Sequence, residues 1–379
     1  MKFFHLSDLH LGKRLHECSL LEDQKHILQQ VLTLAQQHQP AAVIIAGDLY
    51  DKPVPPAEAV HLCDEFLTRL SAMGCTVLLT SGNHDSAERV AFGAQLLQKG
   101  GVYISPPYDQ QPVSVTLQDE QGEVDFWLLP FLKPAPVRHV WAEQGTAEDY
   151  ESYNSAVRFA VNQLPRRAGV RSVLAAHQFV TGASRCDSEE VSVGGVDNVE
   201  VSAFAGFDYV ALGHIHSPQS VGRPTVRYCG SPLAYSFSEA GQQKSVTMVE
   251  LTAEETIVHT LPLAPLRAVR RLRGSFLQLT DPALAAEDYL YITLTDEDEV
   301  PQALGRLRGV YPNLLCLDYD NRRTRAVQQV AAAELAAPKT PLQHFMDLYE
   351  QQNNQPMTAR QAEFCAGLIE SIWEKEAGQ

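Results

Sequence analysis

The sequence predicts an α/β layered domain in its first half. Two observations carry that expectation. Apolar, strand-like runs alternate with segments of helical spacing in the order β-α-β-α-β. Five short polar clusters each follow an apolar run: Asp8-Leu9-His10, Gly47-Asp48, Gly82-Asn83-His84-Asp85, Ala176-His177 and Gly213-His214-Ile215-His216. Ligands of open α/β sheets bind beyond the carboxyl ends of the strands, so one sheet edge is expected to receive all five clusters.

The elements follow in order. Lys2 to Ser7 is a short apolar run and a first strand. Leu20 to Gln37 carries Leu20, Leu21, Ile27, Leu28, Val31, Leu32 and Ala35 at helical spacing. Ala41 to Ala46 is small and β-branched throughout, as in a strand buried on both faces. Pro53, Pro55 and Pro56 break the chain before a helix from Ala57 to Met73. Thr76 to Thr80 is a further buried strand, and a helix is expected from about Ser86 to Gln98. The middle is richer in strands: Val113 to Leu117 and Asp125 to Leu129 about a turn at Gln121-Gly122, then Ser172 to Ala176, Tyr209 to Leu212, Thr225 to Cys229 and Ser245 to Leu251. Beyond Leu266, Tyr289 to Leu294, a helix near Val300 to Gly309 and Leu314 to Tyr319 form a small β-α-β unit. Ala336-Ala337-Pro338 reads as a linker. Leu342, Phe345, Met346, Leu348 and Tyr349 then make an apolar helical stripe. Thr358 is an expected N-cap for a helix from Ala359 to Lys375, with Phe364, Leu368, Ile369, Ile372 and Trp373 on one stripe. The expected organisation is residues 1–265, 266–333 and 334–379.

At 379 residues the chain exceeds the size at which a single core stops growing. No apolar run is long enough to span a bilayer, and the brief apolar start at Met1 lacks the pattern of a signal peptide. Seven cysteines, an odd number without CxxC spacing, read as free thiols of a reducing compartment. The formal charge of −16 excludes a protein that holds nucleic acid by overall basicity. A DNA substrate would then need metals, a local basic patch or a partner. Lys13-Arg14 lie beside the first cluster, where they would meet phosphates or simply sit in a solvated loop. Arg267, Arg270, Arg271, Arg273, Arg306, Arg308, Arg322, Arg323 and Arg325 make the small unit and its linker locally basic.

The clusters fit metal chemistry by type. Asp8, His10, Asp48, Asn83, His177, His214 and His216 supply carboxylate, imidazole and amide donors. Such a mixture suits Mn²⁺ or Fe²⁺, tolerates Zn²⁺ and is poor for Ca²⁺. Two ions about 4 Å apart activate a shared water and clamp both oxygens of an in-line displacement at phosphorus. Asp48 is the best bridge between them, because Gly47 leaves room for close approach. Any one cluster has a bland reading: Gly82-Asn83-His84-Asp85 alone is a turn with a capping role. Five of the thirteen histidines fall in these clusters, which a random scatter rarely produces.

Asp8-x-His10, Gly47-Asp48-x-x-Asp51, Gly82-Asn83-His84-Asp85, His177 and Gly213-His214-x-His216 resemble the ordered motifs of the calcineurin-like metallophosphoesterases. His5-Leu6-Ser7-Asp8-Leu9-His10-Leu11-Gly12, Ala211 to His216 and Arg227-Tyr228-Cys229-Gly230-Ser231-Pro232 are similar to the DNA-nuclease branch of that superfamily. The resemblance implies a four-layer α/β/β/α sandwich with a small α+β capping domain and C-terminal helices. It implies two Mn²⁺ ions, with Mg²⁺, Fe²⁺ or Zn²⁺ as alternatives. One would be held by Asp8, His10, Asp48 and His216, the other by Asp48, Asn83, His177 and His214. His84 would act on the leaving oxygen or the scissile phosphate, Asp51 would orient His84, and Asp85 would be structural, capping the next helix. Further implications are double-strand 3′–5′ exonuclease and single-strand or hairpin endonuclease activity in DNA repair and recombination, in a cytoplasmic, nucleoid-associated complex. A homodimer through Ala57 to Met73 and Ser86 to Gln98 would join two copies of a coiled-coil ATPase, which uses the ATP and receives the C-terminal helices. Two other functions compete: a cyclic-nucleotide or other small-molecule phosphodiesterase, and a scaffold with a decayed site. The intact donor set speaks against the scaffold.

Overall fold

The computed structural model describes residues 1–189, 197–322, 324, 341–353 and 355–366. The chain begins with β1 (Lys2–Leu6) and a miniature hairpin of β2 (Arg14–Leu15) and β3 (Cys18–Ser19), followed by β4 (Ala42–Ala46), β5 (Thr76–Thr80) and β6 (Val102–Ile104). Next come β7 (Val113–Asp119), β8 (Gly122–Leu129), β9 (Arg171–His177), β10 (Tyr209–Gly213), β11 (Gln219–Val221) and β12 (Arg223–Tyr228), then β13 (Ser245–Leu251) and β14 (Thr256–Pro262). The helices between them are α1 (Leu21–His38), α2 (Ala57–Ala72), α3 (Ala87–Val90), α4 (Ala94–Leu97), α5 (Pro134–Val140) and α6 (Tyr153–Asn162).

These strands build two six-stranded sheets, ordered β14-β13-β1-β4-β5-β6 and β11-β12-β10-β9-β8-β7. β1, β4, β5 and β6 run parallel, as do β8, β9, β10 and β12. Side-chain alternation decides the layering. Phe3, Ala42, Ile44 and Ala46 face Phe126, Val173, Ala175, Tyr209 and Ala211 of the other sheet. Phe3 meets Phe126 and Tyr209 edge-on at 5.4 and 5.7 Å. The alternate residues Phe4, Leu6, Val43 and Ile45 pack with Ile27, Leu28 and Val31 of α1 and Leu62, Phe66 and Leu70 of α2. Behind the second sheet, Trp127, Leu174, Ala176 and Val210 pack with Val137 of α5 and Ala156, Val157 and Val161 of α6. The result is the expected α/β/β/α sandwich, and the reason is legible: parallel strands covered on both faces must be apolar on both.

Two expectations are corrected. Ser86 to Gln98 is not one helix: Gly93 takes φ 75° and separates α3 from α4. Asp85 does not cap α3; the Ser86 side chain accepts from Arg89 N in that role.

Among the described residues the chain forms two units. The first takes Met1–Arg273, Leu277–Ile292 and Gln302–Leu317. It includes most of a three-stranded sheet of β15 (Val269–Gly274), β16 (Tyr289–Leu294) and β17 (Leu314–Tyr319). Arg267 pairs there with Glu22 and with Asp23 (2.8 Å), which also accepts from the Tyr289 hydroxyl at 2.8 Å. The second unit takes Gly274–Phe276, Thr293–Pro301 and the described residues from Asp318 onward. Asp296 accepts from Phe276 N (2.7 Å), and Asn321 accepts from Thr324 N (3.0 Å). A helix spans Pro341–Asn353. Residues 359–366 are helical behind Thr358, whose hydroxyl oxygen accepts from Gln361 N (3.4 Å) while its N–H donates to Gln361 Oε1 (2.9 Å), so the expected N-cap is present. Phe345, Leu348 and Phe364 are exposed. The linker around Leu335 to Lys339, the arginines at 323 and 325, and Leu368, Ile369, Ile372 and Trp373 lie outside the described residues, as does the 190–196 part of the loop from Thr181 to Val196.

His5 on β1 is fully buried, its Nδ1 3.0 Å from the Tyr209 hydroxyl. Burial, and then the charge of Arg227, lowers its pKa from 6.5 to about 3. The unfolded chain therefore takes a proton near pH 6.5 that the native chain refuses. Neutral His5 contributes fully above pH 6.5, and that contribution is lost as pH falls toward 3, by up to about 1.4 kcal/mol per pH unit. Urea unfolding of the wild type and His5→Asn at pH 6 and pH 5 should show a smaller acid-induced loss in the variant, by about 1 kcal/mol. Equal losses would contradict the assignment.

Candidate metal centre

Contrary to expectation, the clusters do not all follow one sheet: β1, β4 and β5 belong to the first sheet and β9 and β10 to the second. Their carboxyl ends meet at a shared edge of the sandwich, where the segments leaving the first-sheet strands interlock. Asp8 N donates to Gly47 O, His10 N to Asp48 O and Leu11 N to Leu49 O, each at 3.0 Å. The buried Gln24 of α1 holds the first segment, with Nε2 donating to His10 O (2.7 Å) and Oε1 accepting from Gly12 N (3.0 Å). Asp85 joins the second to the third: its carboxylate accepts from Leu49 N, Tyr50 N and Gly82 N at 2.9 to 3.0 Å. Asp8, His10, Asp48 and His214 sit at φ 53°, 43°, 51° and 99°. Four non-glycine residues in this left-handed region, all at one edge, mark backbone held out of its preferred state for function.

Three glycines admit the side chains. A Cβ at Gly47 would lie 2.3 Å from His177 Nδ1, one at Gly82 2.1 Å from Asp48 Oδ1, and one at Gly213 1.9 Å from Ala46 O. Gly47 thus makes room for the His177 ring, whereas room for Asp48 comes from Gly82.

The structure brings all seven expected donors together. Ligand atoms of Asp8, His10 and His216 lie within 4.8 Å of one another, and so do those of Asp8, Asp48 and His177. His10 and His216 face each other Nε2 to Nε2 at 3.1 Å. His177 Nδ1 donates to Ala46 O at 2.9 Å, which turns Nε2 toward Asp48 Oδ2 (3.3 Å) and Asn83 Oδ1 (3.0 Å). Asn83 Oδ1 also lies 2.9 Å from His214 Nδ1, and among the described residues His214 Nε2 is buried without a hydrogen-bond partner. Burial lowers His10 well below its usual range, and burial with the charge of His177 takes His214 to about 3. Burial would lower His177 too, but the Asp48 carboxylate overrides it and lifts the ring to about 9. Burial pushes Asp8 up, whereas His177 holds Asp48 well below the usual carboxylate range despite its burial. The Asp48 carboxylate thus draws positive charge, while burial keeps His10 and His214 neutral with free lone pairs. This donor set fits two divalent cations.

His84 lies at the rim, its ring edge-on to that of His10 at a centroid distance of 4.8 Å. Its N–H donates to Asp48 Oδ1 (2.9 Å) and its Nδ1 to Asp51 O (3.1 Å). Asp51 thus meets His84 through its backbone carbonyl. Its carboxylate is 2.7 Å from Lys13 Nζ instead. Arg14 is exposed and donates to Glu17 O. The basic cluster is also largely engaged: Arg270 pairs with Asp288 at 2.9 Å, and Arg271 donates to Phe237 O at 3.0 Å. Neighbouring anions and carbonyls thus take much of the charge expected to face DNA.

Four contributors have no motif of their own. Ser188, Glu189, Glu239 and Lys244 surround His216. None carries a signal in the sequence: Glu239 stands in the mixed run Ser236-Phe237-Ser238-Glu239-Ala240-Gly241.

A two-sheet sandwich gathering carboxylate, imidazole and amide donors at one edge defines a metal-dependent phosphoester hydrolase. The calcineurin-like phosphoesterase family matches residues 1–218, and a family described as type 5 capsule protein repressor C-terminal domain matches residues 265–353. The SbcD subunit of the SbcCD nuclease of Staphylococcus epidermidis is 29% identical over 387 residues, covering 99% of this chain and 100% of that protein. Its namesake from Staphylococcus saprophyticus is 31% identical over 322 residues, covering 84% of each. A dimetal phosphatase from Danio rerio shares 12% identity over 69% of this chain and 98% of that one, at a TM-score of 0.41. The chain belongs to the calcineurin-like phosphoesterases and, within them, to the family of the SbcD nuclease subunits. It is a phosphodiester hydrolase.

Proposed function

We propose that this chain is the manganese-dependent nuclease subunit of an SbcCD-type complex, acting on duplex DNA as a 3′–5′ exonuclease and on single strands and hairpins as an endonuclease. The observation that carries the reading is Asp48, buried between two donor groups with His84 bonded to its outer oxygen. Asp8, His10, Asp48 and His216 would hold one cation, and Asp48, Asn83, His177 and His214 the other. Bound there, the pair would activate a water and neutralise charge on the phosphoryl oxygens. His84, its Nδ1 committed to the Asp51 carbonyl, presents Nε2 to the substrate, where in the charged form it gives a proton to the leaving oxygen. Asp51 keeps the ring at that angle, and Lys13, paired with the Asp51 carboxylate, would meet a neighbouring phosphate, with Arg14 further out.

The partner proposed is an SbcC-type coiled-coil ATPase, in keeping with the relatives' names; ATP would be used there. Phe345, Leu348 and Phe364 are an apolar surface for it to cover. Val60, Phe92, Leu96 and Leu97, exposed on α2 and α4 and between α3 and α4, would form the homodimer contact of an SbcC2–SbcD2 heterotetramer. A chain of charge −16 with its arginines largely paired would bind DNA weakly alone, and the partner would add avidity.

Incubating the chain with linear duplex and hairpin DNA in Mn²⁺, beside bis-p-nitrophenyl phosphate and cyclic AMP, tests the reading. Cleavage of DNA and the aryl diester with cyclic AMP intact is expected. Cleaved cyclic AMP beside intact DNA would contradict the nuclease assignment.

A further inference from the structure

His216 is the donor whose ring is most elaborately held. The Ser188 hydroxyl lies 2.8 Å from His216 Nδ1 and donates to Glu239 Oε1 at 2.6 Å. Glu239 Oε1 also stands 3.5 Å from Nδ1. Its other oxygen accepts from Lys244 Nζ (2.6 Å) and from the Ser231 hydroxyl (3.3 Å). Lys244 Nζ also donates to the His216 carbonyl at 2.9 Å, and Glu189 Oε1 accepts from His216 N at 2.6 Å. Glu239 is fully buried and Lys244 nearly so.

Proton counting fixes the direction of this chain. A carboxylate paired with a buried ammonium can only accept. The single hydroxyl proton of Ser188 therefore goes to Glu239, and the Ser188 oxygen must accept from His216 Nδ1–H. The proton stands on Nδ1, so Nε2 carries the lone pair, and Nε2 is the atom that faces His10 in the group with Asp8. His177 is oriented by another route, donating Nδ1–H to the Ala46 carbonyl. The two cation positions are thus served by independent devices, and only one passes through the segment that carries Ser188.

We propose that Glu239, acting through Ser188, is a positioning residue that sets the His216 tautomer and thereby the affinity of one cation position alone, that of Asp8, His10, Asp48 and His216. The proposal rests on the two-cation reading above. Partners that orient a ligating histidine contribute about 10- to 100-fold in metal affinity.

The test is isothermal titration of the full chain with Mn²⁺, with thermal melting of the metal-free protein alongside. Wild type should bind two ions. Ser188→Ala should bind one as wild type does and the other about 10-fold more weakly, with an unchanged melting temperature. Ser188→Thr, which keeps the hydroxyl, should restore the second ion. Glu239→Gln should weaken the same ion further; because it breaks a buried ion pair and could cost folding, the serine variants decide. Two ions bound by Ser188→Ala with wild-type affinities would overturn the proposal, as would equal weakening of both. A wild type that binds no ion pair would instead overturn the two-cation reading itself.

Discussion

Asp48→Ala is expected to lose divalent metal at both positions and to lower kcat for DNA cleavage by about 10³-fold or more, the scale of several kcal/mol of transition-state charge stabilisation. The expectation follows from its place. Asp48 Oδ2 lies 3.3 Å from His177 Nε2 and 3.6 Å from His10 Nε2, rings that belong to different donor groups. Its other oxygen accepts from His84 N. Removing the carboxylate takes a shared anion from both positions and releases the loop that carries Asn83 and His84. Metal content by mass spectrometry and single-turnover cleavage check this. A variant that keeps two ions per chain would show that Asp48 is not shared.

His84→Ala should separate binding from chemistry. The ring meets protein through the Asp51 carbonyl and the edge of His10, while all seven donors are anchored elsewhere. The backbone N–H that bonds Asp48 survives the substitution. Two ions per chain should therefore remain, while cleavage falls by about 10² to 10⁴-fold, the range for a lost general acid. The loss should be smaller for bis-p-nitrophenyl phosphate, whose leaving group departs without a proton. Metal loss in His84→Ala would refute this division of roles. An equal fall for both substrates would point instead to His84 steadying the phosphate.

Much of this was legible in the sequence, because the site is built from local rules. A strand buried on both faces has no polar residue until it ends, so Ala42 to Ala46 announces both β4 and the place where Asp48 must stand. The same holds for Thr76–Thr80 ahead of Asn83, and for Tyr209–Gly213 ahead of His214. Where structure depends on contacts distant in sequence, the reading failed. Gly93 within a helical stripe gave no sign that it would take φ 75° and split the helix. Strand β14 pairs along β13 as a sheet edge, and its half-exposed residues carry little apolar signal. Asp51 stands at the expected position, but Lys13, 38 residues away, takes its carboxylate. Ser188, Glu239 and Lys244 act on His216 through folding alone. The arginines after Leu266 read as a basic patch because their partners Glu22, Asp23 and Asp288 are remote or lie across a turn.

The central claim is that one buried carboxylate serves two cations. Anomalous diffraction from a manganese-soaked crystal tests it most directly. Two peaks should flank Asp48, one against His10 and His216 and the other against His177 and His214. A single peak, or two that do not both contact Asp48, would contradict it.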